Sequence, residues 1–421
     1  MSESSKRRRP VARHGQLRSP SAVGQLMKLI GIALAVVLVS GLGVTSYVLG
    51  GLVSTASANA VELEGQKELP PDIAAYEGGF DILLTGVDTC EPKYAHLFGE
   101  RCEGDDSRGT LNDVNLLLHV SSEPRRITAV SFPRDLMVPI PECTDVNGNT
   151  TSAMSKQPLN VAYEHGGEKG GLNCVAKTIG DLTGEDIEFA AKVTFGGVIE
   201  ITDAIGGVDV CLASPIKDKY TNLDMEAGNH TVKGYQALQF LRTRHGVGDG
   251  SDLGRIGNQQ QYMSSLARKM ISGEVLGNVP VMLKLADTAL SNVEASTSLA
   301  DPMKIVQIAL AVKSVPFKDI VFIQYPTAED PDNRNKVVPN QEAATVLWDA
   351  IKANKQLQIT HKNNTNDGVV VKDPVAEEPT APTDTASPAP SQAPTEVAEL
   401  PDSIKGNSAA VQTCSNGNVR G

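Results

Sequence analysis

The pattern of hydrophobic and polar residues changes character several times along the chain. Leu29 to Ser54 is an apolar run rich in Ile, Leu, Val, Ala and Gly, and no charged side chain occurs between Lys28 and Glu62. From Phe80 onwards, short apolar runs alternate with Gly, Pro and polar turns, a pattern typical of strands. The predicted strands are Phe80–Val87, Val114–Val120, Ile127–Phe132, Phe189–Phe195, Val208–Leu212 and Ile320–Tyr325.

Helical spacing of apolar residues occurs between these strands. Ser251 is a good N-cap for a helix that carries Leu253, Ile256, Met263 and Leu266 on one side. Strands mixed with helices on this scale predict an α/β core with a central sheet. The other predicted helices are Leu172–Leu182, Val198–Ile205, Gly234–Leu241, 280–290, 302–313 and 340–353.

The apolar run near the start of the chain is long enough to cross a hydrocarbon core of about 30 Å. Residues 1–28 carry seven cations against one acid, so we predict a basic cytoplasmic segment at 1–28 and a transmembrane anchor at 29–53. Everything after the anchor is then extracellular, in a single-pass membrane protein. The alternative is a cleaved signal peptide, because Ala58-Asn59-Ala60 resembles a cleavage site.

Three further regions follow the predicted anchor. Residues 54–77 form a polar, acidic spacer, and 78–360 form the folded domain. Between Lys372 and Ser403 the chain has seven Pro and seven acids but no cation after Lys372. Because such a segment buries little apolar surface, we predict that 361–421 is a disordered tail rich in Pro, Ala and Thr.

Composition excludes some functions and indicates disulfides. A net charge of −12 argues against a general nucleic-acid binder, and 4% aromatic residues are few for a surface that stacks sugars or bases. The six cysteines all follow the apolar run and lack metal-binding spacing, so disulfides are the default outside the cell. Proximity suggests the pairs Cys90–Cys102, Cys143–Cys174 and Cys211–Cys414, among 15 connectivities that six cysteines allow.

Several charged residues are predicted to lie near one edge of the sheet. Asp88 and Arg134 each follow a strand, and Asp113 directly precedes one. Arg255 and Gln259 share a helix face, on which Arg242 and Arg244 can converge. Guanidinium groups bind phosphate oxygens in bidentate fashion, so a diphosphate is the natural ligand, and Mg²⁺ held by Asp88 and Asp113 would bridge to it. Individually, these residues are also consistent with caps, ion pairs and helix-dipole contacts.

Six motifs between about Phe80 and Lys269 occur in a fixed order. They are Phe80-Asp-Ile-Leu-Leu-Thr-Gly-Val-Asp88, Asn112-Asp113, Ser131-Phe-Pro-Arg-Asp135, Ile205-Gly-Gly-Val-Asp209, Ala237-Leu-Gln-Phe-Leu-Arg-Thr-Arg244 and Asp252-Leu-Gly-Arg-Ile-Gly-Asn-Gln-Gln260. In type and order these motifs resemble those of the LytR–CpsA–Psr family of cell-wall glycopolymer ligases.

The resemblance implies a mixed sheet flanked by helices and a membrane-anchored phosphotransferase. Such an enzyme transfers a glycopolymer from a polyprenyl-diphosphate carrier to a peptidoglycan hydroxyl. Asp88 and Asp113 match the family's magnesium ligands, with Mn²⁺ as a possible substitute. The positions that match the family's pyrophosphate ligands are Arg134, Arg242, Arg244, Arg255 and Gln259.

The chain departs from the family pattern near the second metal ligand. Leu111 stands where the family often has Arg, and Arg108 is the candidate substitute for pyrophosphate binding. Asn258 likewise stands where Arg often precedes the Gln pair. Asp135 and Asp252 are the candidates for the general base.

Two other functions use the same residues. One is a non-catalytic sensor of lipid diphosphates that regulates the expression of envelope genes. The other is a pyrophosphatase that transfers the phosphoryl group to water and needs no glycan acceptor. A basic segment of 28 residues is too short to fold into a DNA-reading domain, so direct transcriptional control is disfavoured.

Overall fold

A computed structural model provides the structure of the protein. It describes residues 60–65, 79–99, 102, 110–167, 169–271, 285, 288–289, 291–359, 368–372 and 396–418. The predicted cytoplasmic segment, the predicted anchor and most of the predicted 280–290 helix lie outside these residues. None of the helices within the described ranges combines the length and apolarity that a membrane span needs.

The strands are β1 (Phe80–Val87), β2 (Asn112–Val120), β3 (Ile127–Phe132), β4 (Met137–Ile140), β5 (Cys143–Thr144), β6 (Thr150–Thr151), β7 (Met154–Pro158), β8 (Phe189–Val193), β9 (Val208–Leu212), β10 (Ile216–Asp218), β11 (Leu223–Met225), β12 (Gly228–Val232), β13 (Val293–Ala295), β14 (Ile320–Gln324), β15 (Thr327–Asp330), β16 (Asn333–Pro339), β17 (Gln356–Ile359), β18 (Val369–Val371), β19 (Val397–Leu400), β20 (Gly406–Ser408) and β21 (Thr413–Ser415).

The described α-helices are α1 (Ala162–His165), α2 (Gly171–Thr183), α3 (Phe195–Ala204), α4 (Gly234–Arg242), α5 (Asp252–Ile271), α6 (Pro302–Val312) and α7 (Gln341–Lys352). The predicted strand Phe189–Phe195 ends earlier than expected. Thr194 caps the next helix by accepting a hydrogen bond from the Gly197 N–H, so the chain leaves the sheet at Val193.

The central sheet is mixed and has seven strands in the order β13-β8-β1-β2-β3-β14-β20. β1 pairs in parallel with β8, and β3 pairs in parallel with β14, whereas β2 runs antiparallel between β1 and β3. One edge of the sheet, the one that runs across the strand ends, therefore contains the carboxyl ends of β1, β3, β8 and β14 and the amino end of β2. The predicted mixed sheet flanked by helices is confirmed.

Alternation along the strands gives the sheet two buried faces. Leu83, Leu117, Val130 and Ile323 stand side by side across four strands and are fully buried in one core with residues of α2 and α7. On the other face, Leu84, Leu116 and Phe322 pack towards α5 and its neighbours. A four-stranded sheet, β12-β9-β21-β18, contacts α5 as well.

The predicted disordered tail is wrong for residues 368–372 and 396–418. β20 pairs with β14 at the edge of the central sheet, and β21 lies between β9 and β18. Leu400, Ile404 and Ala409 are buried. Composition suggested disorder because it averages over the segment, whereas a few apolar residues and main-chain hydrogen bonds are enough to add strands to an existing sheet. Residues 373–395, where most of the Pro lies, are outside the described ranges.

The predicted spacer is likewise wrong for residues 60–65. Val61 bridges to Ser296, and Leu63 belongs to the main hydrophobic core. The spacer was predicted from the polar and acidic residues that surround these two apolar side chains in the sequence.

All three predicted disulfides are present. Cys90–Cys102 and Cys143–Cys174 close loops of 12 and 31 residues, whereas Cys211–Cys414 joins positions 203 residues apart. The third bond ties β9 to β21 and so fixes the C-terminal strands to the folded domain.

The long-range disulfide should contribute more stability than the short one. In the chain-entropy account, replacing Cys211 and Cys414 by Ser should lower the free energy of unfolding by about 5 kcal/mol, and replacing Cys90 and Cys102 by about 3 kcal/mol. Urea unfolding followed by the fluorescence of Trp348, the only tryptophan, measures both. Equal losses for the two pairs would contradict the expectation.

Candidate active site

The acids and one arginine predicted to meet at a sheet edge do lie at the same edge. Asp88 follows β1 and Arg134 follows β3, while Asp113 is the second residue of β2. Because β2 is antiparallel to both neighbours, its start lies where they end. The Asp88 carboxylate accepts a hydrogen bond from the Leu111 N–H at 2.9 Å, which joins the two adjacent strand ends.

A β-bulge sets the direction of Asp113. Gly86 pairs with Val114 and Val87 pairs with Asn112, so Asp113 is the extra residue and has no partner on β1. Asn112 is fully buried, and its side chain accepts a hydrogen bond from the Tyr163 N–H. A bulge re-aims the residue it adds, and here it places the Asp113 side chain at the sheet edge beside Arg134.

Carboxylates hold two of the arginines together. Arg134 donates to Asp113 at 3.1 Å and lies 3.7 Å from Asp252. Arg255 contacts the same Asp252 oxygen at 2.7 Å and donates to the Asp113 main-chain carbonyl at 3.0 Å. Burial alone would lower the pKa of Arg134, but Asp113, Asp252 and Asp135 raise it above its usual value. The Arg134 guanidinium therefore stays charged.

Two buried polar atoms in this network have no hydrogen-bond partner among the described residues. They are Nε of Arg134 and Oδ2 of Asp252. Buried polar atoms normally have hydrogen-bond partners. An unpaired donor and an unpaired acceptor at the same place therefore indicate a site in which a polar ligand supplies the missing partners.

The other two arginines, at and just after the end of α4, have different surroundings. The Arg242 guanidinium lies over the Phe195 ring, 4.4 Å from its centroid. Arg244 donates from Nε to the Gly250 carbonyl at 3.2 Å, and no described carboxylate lies within 4.0 Å of it. Gln259 donates to the Leu241 carbonyl at 2.9 Å, which fixes α5 to the end of α4.

Asp218 organises the loop that carries Arg244, and sequence reasoning missed it. Its carboxylate, at the end of β10, accepts hydrogen bonds from the Thr243 hydroxyl at 2.8 Å and from the N–H groups of Arg244 and His245, each at 3.1 Å. Burial would raise the pKa of Asp218, but these hydrogen bonds outweigh it and lower the pKa below its usual value. No local sequence motif marks this role, because the partners lie some 25 residues away.

All four arginines line a cavity of about 490 Å³. Most of its lining is apolar: the sheet contributes Leu84, Leu116 and Phe322, and the helices contribute residues such as Ile201, Leu238, Met263 and Leu266. Gly86 is required in this wall, since a Cβ there would lie 2.9 Å from the Val114 Cβ. The charged and amide residues in the lining are Asp113, Arg134, Arg242, Arg244, Arg255, Gln259, Asp218 and Gln260.

The family-level comparison agrees with this architecture. The LytR_cpsA_psr family model matches residues 46–356. The chain belongs to the LytR–CpsA–Psr family.

Two curated members of the family illustrate the relationship. The chain is 27% identical over 310 residues to the cell wall biosynthesis protein LcpA of Corynebacterium glutamicum, covering 70% of this chain and 58% of LcpA. It is 24% identical over 298 residues to the polyisoprenyl-teichoic acid–peptidoglycan teichoic acid transferase TagT of Bacillus subtilis, covering 69% of this chain and 83% of TagT. The chain spans about half the length of several curated relatives that it matches.

The fold is also similar to a solved structure. Protein gbs0355 of Streptococcus agalactiae superposes with a TM-score of 0.51 at 22% identity, covering 66% of this chain and 89% of that one. At this identity the likeness extends to the fold. Family membership therefore rests on the sequence match, and the solved structure shows a similar fold.

The structure brings most of the predicted site residues together. Arg134, Arg242, Arg244, Arg255, Gln259 and Asp113 all line the one cavity. Asp88 lies beside them at the sheet edge but outside the lining, and Asp135 pairs with Lys336 and with Arg134. Lys336, on β16, is a second residue that sequence reasoning missed. Arg108 lies outside the described residues.

The two predicted magnesium ligands are both carboxylates. Asp88 and Asp113 offer carboxylate oxygens on adjacent strands, and Mg²⁺ prefers such ligands. The Asp252 oxygen without a partner adds a further hard acceptor near Asp113.

Asp218 should stabilise the fold in a pH-dependent manner. Because its pKa is lower in the folded state, its contribution is fully present above about pH 4 and is lost as the pH falls through the folded pKa. Asp218→Asn should lower the free energy of unfolding by about 2 kcal/mol at pH 7, and the difference from wild type should shrink below about pH 4.

Asp224→Asn is the matched control, since the Asp224 side chain on neighbouring β11 is 68% exposed. Urea titrations at several pH values measure the effect. A pH-independent difference for Asp218→Asn would contradict the assigned role of its charge.

Proposed function

We propose that the protein is a membrane-anchored phosphotransferase that moves a glycopolymer from a polyprenyl-diphosphate carrier to a peptidoglycan hydroxyl, forming a phosphodiester link. The observation that carries the proposal is that one cavity is lined both by apolar side chains and by four arginines. A prenyl chain with a diphosphate head combines the same two kinds of chemistry. Few other metabolites combine a long hydrocarbon with two phosphates.

Each part of the cavity matches one part of that donor. The aliphatic walls remove the prenyl chain from water, which is favourable by about 25 cal/mol per Å² of apolar surface. Arg244, which no described carboxylate neutralises, and the paired Arg134 and Arg255 supply guanidinium groups for the phosphate oxygens. The unsatisfied Arg134 Nε provides a further donor at the same place.

The reaction requires one bond to form and one to break. The acceptor oxygen attacks the phosphorus that carries the glycan, the bridging P–O bond breaks, and polyprenyl phosphate leaves. The arginines stabilise the negative charge that develops on the equatorial and leaving oxygens. The hydroxyl proton passes to a carboxylate, for which Asp135 and Asp252 are the candidates. Mg²⁺ held by Asp88 and Asp113, or Mn²⁺ in its place, would neutralise further charge on the diphosphate.

The relatives support this assignment. TagT is named as a transferase that joins polyisoprenyl-linked teichoic acid to peptidoglycan, and LcpA is named as a cell wall biosynthesis protein. The apolar run at 29–53 and the basic residues before it support a single anchor with a cytoplasmic N-terminus. Such an anchor would keep the site near the outer leaflet, where a lipid-linked donor is available. Three disulfides are consistent with an extracellular domain.

Covalent attachment of glycan to peptidoglycan tests the proposal. The full chain in detergent is incubated with Mg²⁺, a polyprenyl-diphosphate glycan and peptidoglycan. Arg255→Ala should reduce attachment by about 100-fold or more, because it removes a donor to the reacting phosphate and leaves Asp252 buried without its closest partner. Removing the metal with a chelator should also abolish attachment.

Arg334→Ala is the matched control, since Arg334 is an exposed arginine on β16 and lies outside the cavity lining. Phosphate release without attachment would replace the ligase by a pyrophosphatase. Donor binding with neither reaction would replace it by a lipid-diphosphate sensor.

The apolar interior should determine which donors are accepted. Met263→Trp places a larger side chain in the cavity, so KM should rise at least about tenfold for a long-chain prenyl donor and change little for a short-chain analogue. Met263→Leu conserves the volume and should leave both values near wild type. Equal effects of the tryptophan on both donors would show that the hydrocarbon binds elsewhere.

A further inference from the structure

A second cavity, of about 590 Å³, lies on a different side of α5 from the candidate active site. It is bounded by α5, by β9 and β12, and by the C-terminal residues Lys372, Gln412 and Thr413. These three residues follow the part of the chain that the family model matches. Part of the cavity lining therefore comes from residues outside the family match.

Positive charge dominates the cavity. Arg268, Lys269 and Lys372 line it, and Asp209 is the one acid among the described lining residues. The Asp209 carboxylate accepts a hydrogen bond from the Thr231 hydroxyl. The cavity thus carries a net positive charge in a protein whose net charge is −12.

Arg268 is half-buried, and no acid among the described residues forms an ion pair with it. Its guanidinium donates to the hydroxyls of Ser264 and Ser265 and to the Ala409 carbonyl, each at 2.9 Å. All three acceptors are neutral, and two of the five guanidinium N–H donors remain. Burial lowers the pKa of Arg268, and no carboxylate in the described part of the chain offsets this effect. A desolvated cation of this kind is stabilised by an anion that enters the cavity.

A second polar group indicates that the ligand also carries hydroxyls. Gln261 lines the cavity and is only 1% exposed, and its side-chain oxygen has no hydrogen-bond partner within the described structure. This oxygen accepts hydrogen bonds only, so it requires a donor, which an inorganic anion such as sulfate lacks. Asn229, Thr231 and Gln412 add further amide and hydroxyl groups to the lining.

We propose that this cavity binds an acidic saccharide, with the anionic group at Arg268 and Lys372 and a sugar hydroxyl donating to Gln261. A sugar that bears a carboxylate or a phosphate supplies both the charge and the hydroxyl donor. The cavity lies within the range of about 300–1,000 Å³ that is usual for small-molecule sites. The inference goes beyond the proposed transferase activity and does not depend on it, because it is tested by binding alone.

Isothermal titration of the full chain in detergent tests the site with four probes. The disaccharide of N-acetylglucosamine and N-acetylmuramic acid carries a carboxylate, and N-acetylglucosamine 6-phosphate carries a phosphate, so these two distinguish the sources of the anion. N,N′-diacetylchitobiose is a neutral disaccharide, and inorganic phosphate is an anion without a sugar. At least one acidic saccharide should bind at least about tenfold more tightly than both chitobiose and phosphate.

Substitutions then locate the binding. Lys372→Glu should weaken the binding of the acidic saccharide by about tenfold or more, and because Lys372 is exposed the variant should fold normally. Lys313→Glu makes the same charge change at an exposed lysine outside the cavity and should have no effect. Arg268→Gln gives a second measurement of the same loss.

Three results would overturn the proposal. They are the absence of saturable binding by both acidic saccharides, equal binding of chitobiose or of phosphate alone, and binding that Lys372→Glu leaves unchanged. These titrations do not measure glycan attachment to peptidoglycan. A negative result would therefore reject the saccharide site without rejecting the transferase activity, and a failed attachment assay would leave the saccharide site untouched.

Discussion

Cations can be concentrated at one edge of the sheet because carboxylates lie between them. A single Asp252 oxygen contacts Arg255 at 2.7 Å and lies 3.7 Å from Arg134, while Asp113 receives a hydrogen bond from Arg134 through its side chain and from Arg255 through its carbonyl. Without these acids, the buried guanidinium of Arg255 and the partly buried one of Arg134 would repel each other. With them, the pair is fixed in position before any ligand arrives, so little reorganisation is needed when charge develops on a phosphate.

The direction of one strand decides which residues share that edge. β2 is antiparallel to β1 and β3, so its start lies between their ends, and a bulge frees Asp113 from pairing. The same arrangement leaves the face of the sheet below this edge apolar. Apolar lining residues and charged residues are thus only a few positions apart on the chain. On β1, for example, Leu84 lines the cavity, and Asp88 follows the end of the strand.

Local sequence patterns predicted the elements of the core and most of the residues of the site. They did not predict contacts between residues that are far apart in sequence. Arg255 and Gln259 line the same cavity because their helical spacing is a local property. Asp218 and Lys336 were missed because their partners are remote in sequence: Asp218 holds the loop at Arg244, and Lys336 reaches Asp135 from β16. The C-terminal strands were missed for the same reason, since a short polar segment becomes a strand only when an open sheet edge is available to pair with it.

The order of synthesis gives that last pairing a consequence for the newly made chain. All five residues of β14 are buried, and its outer edge is covered by β20, which follows about 80 residues later. While the intervening residues are still emerging, β14 presents an apolar edge with unpaired main-chain groups, which is the kind of surface that pairs with other chains. β9 is in a similar position, because β21 and the cysteine that bonds to Cys211 emerge about 200 residues after it. The nascent protein is therefore most exposed to aggregation just before its C-terminal strands are made, and a chain interrupted there would be a poor candidate for refolding.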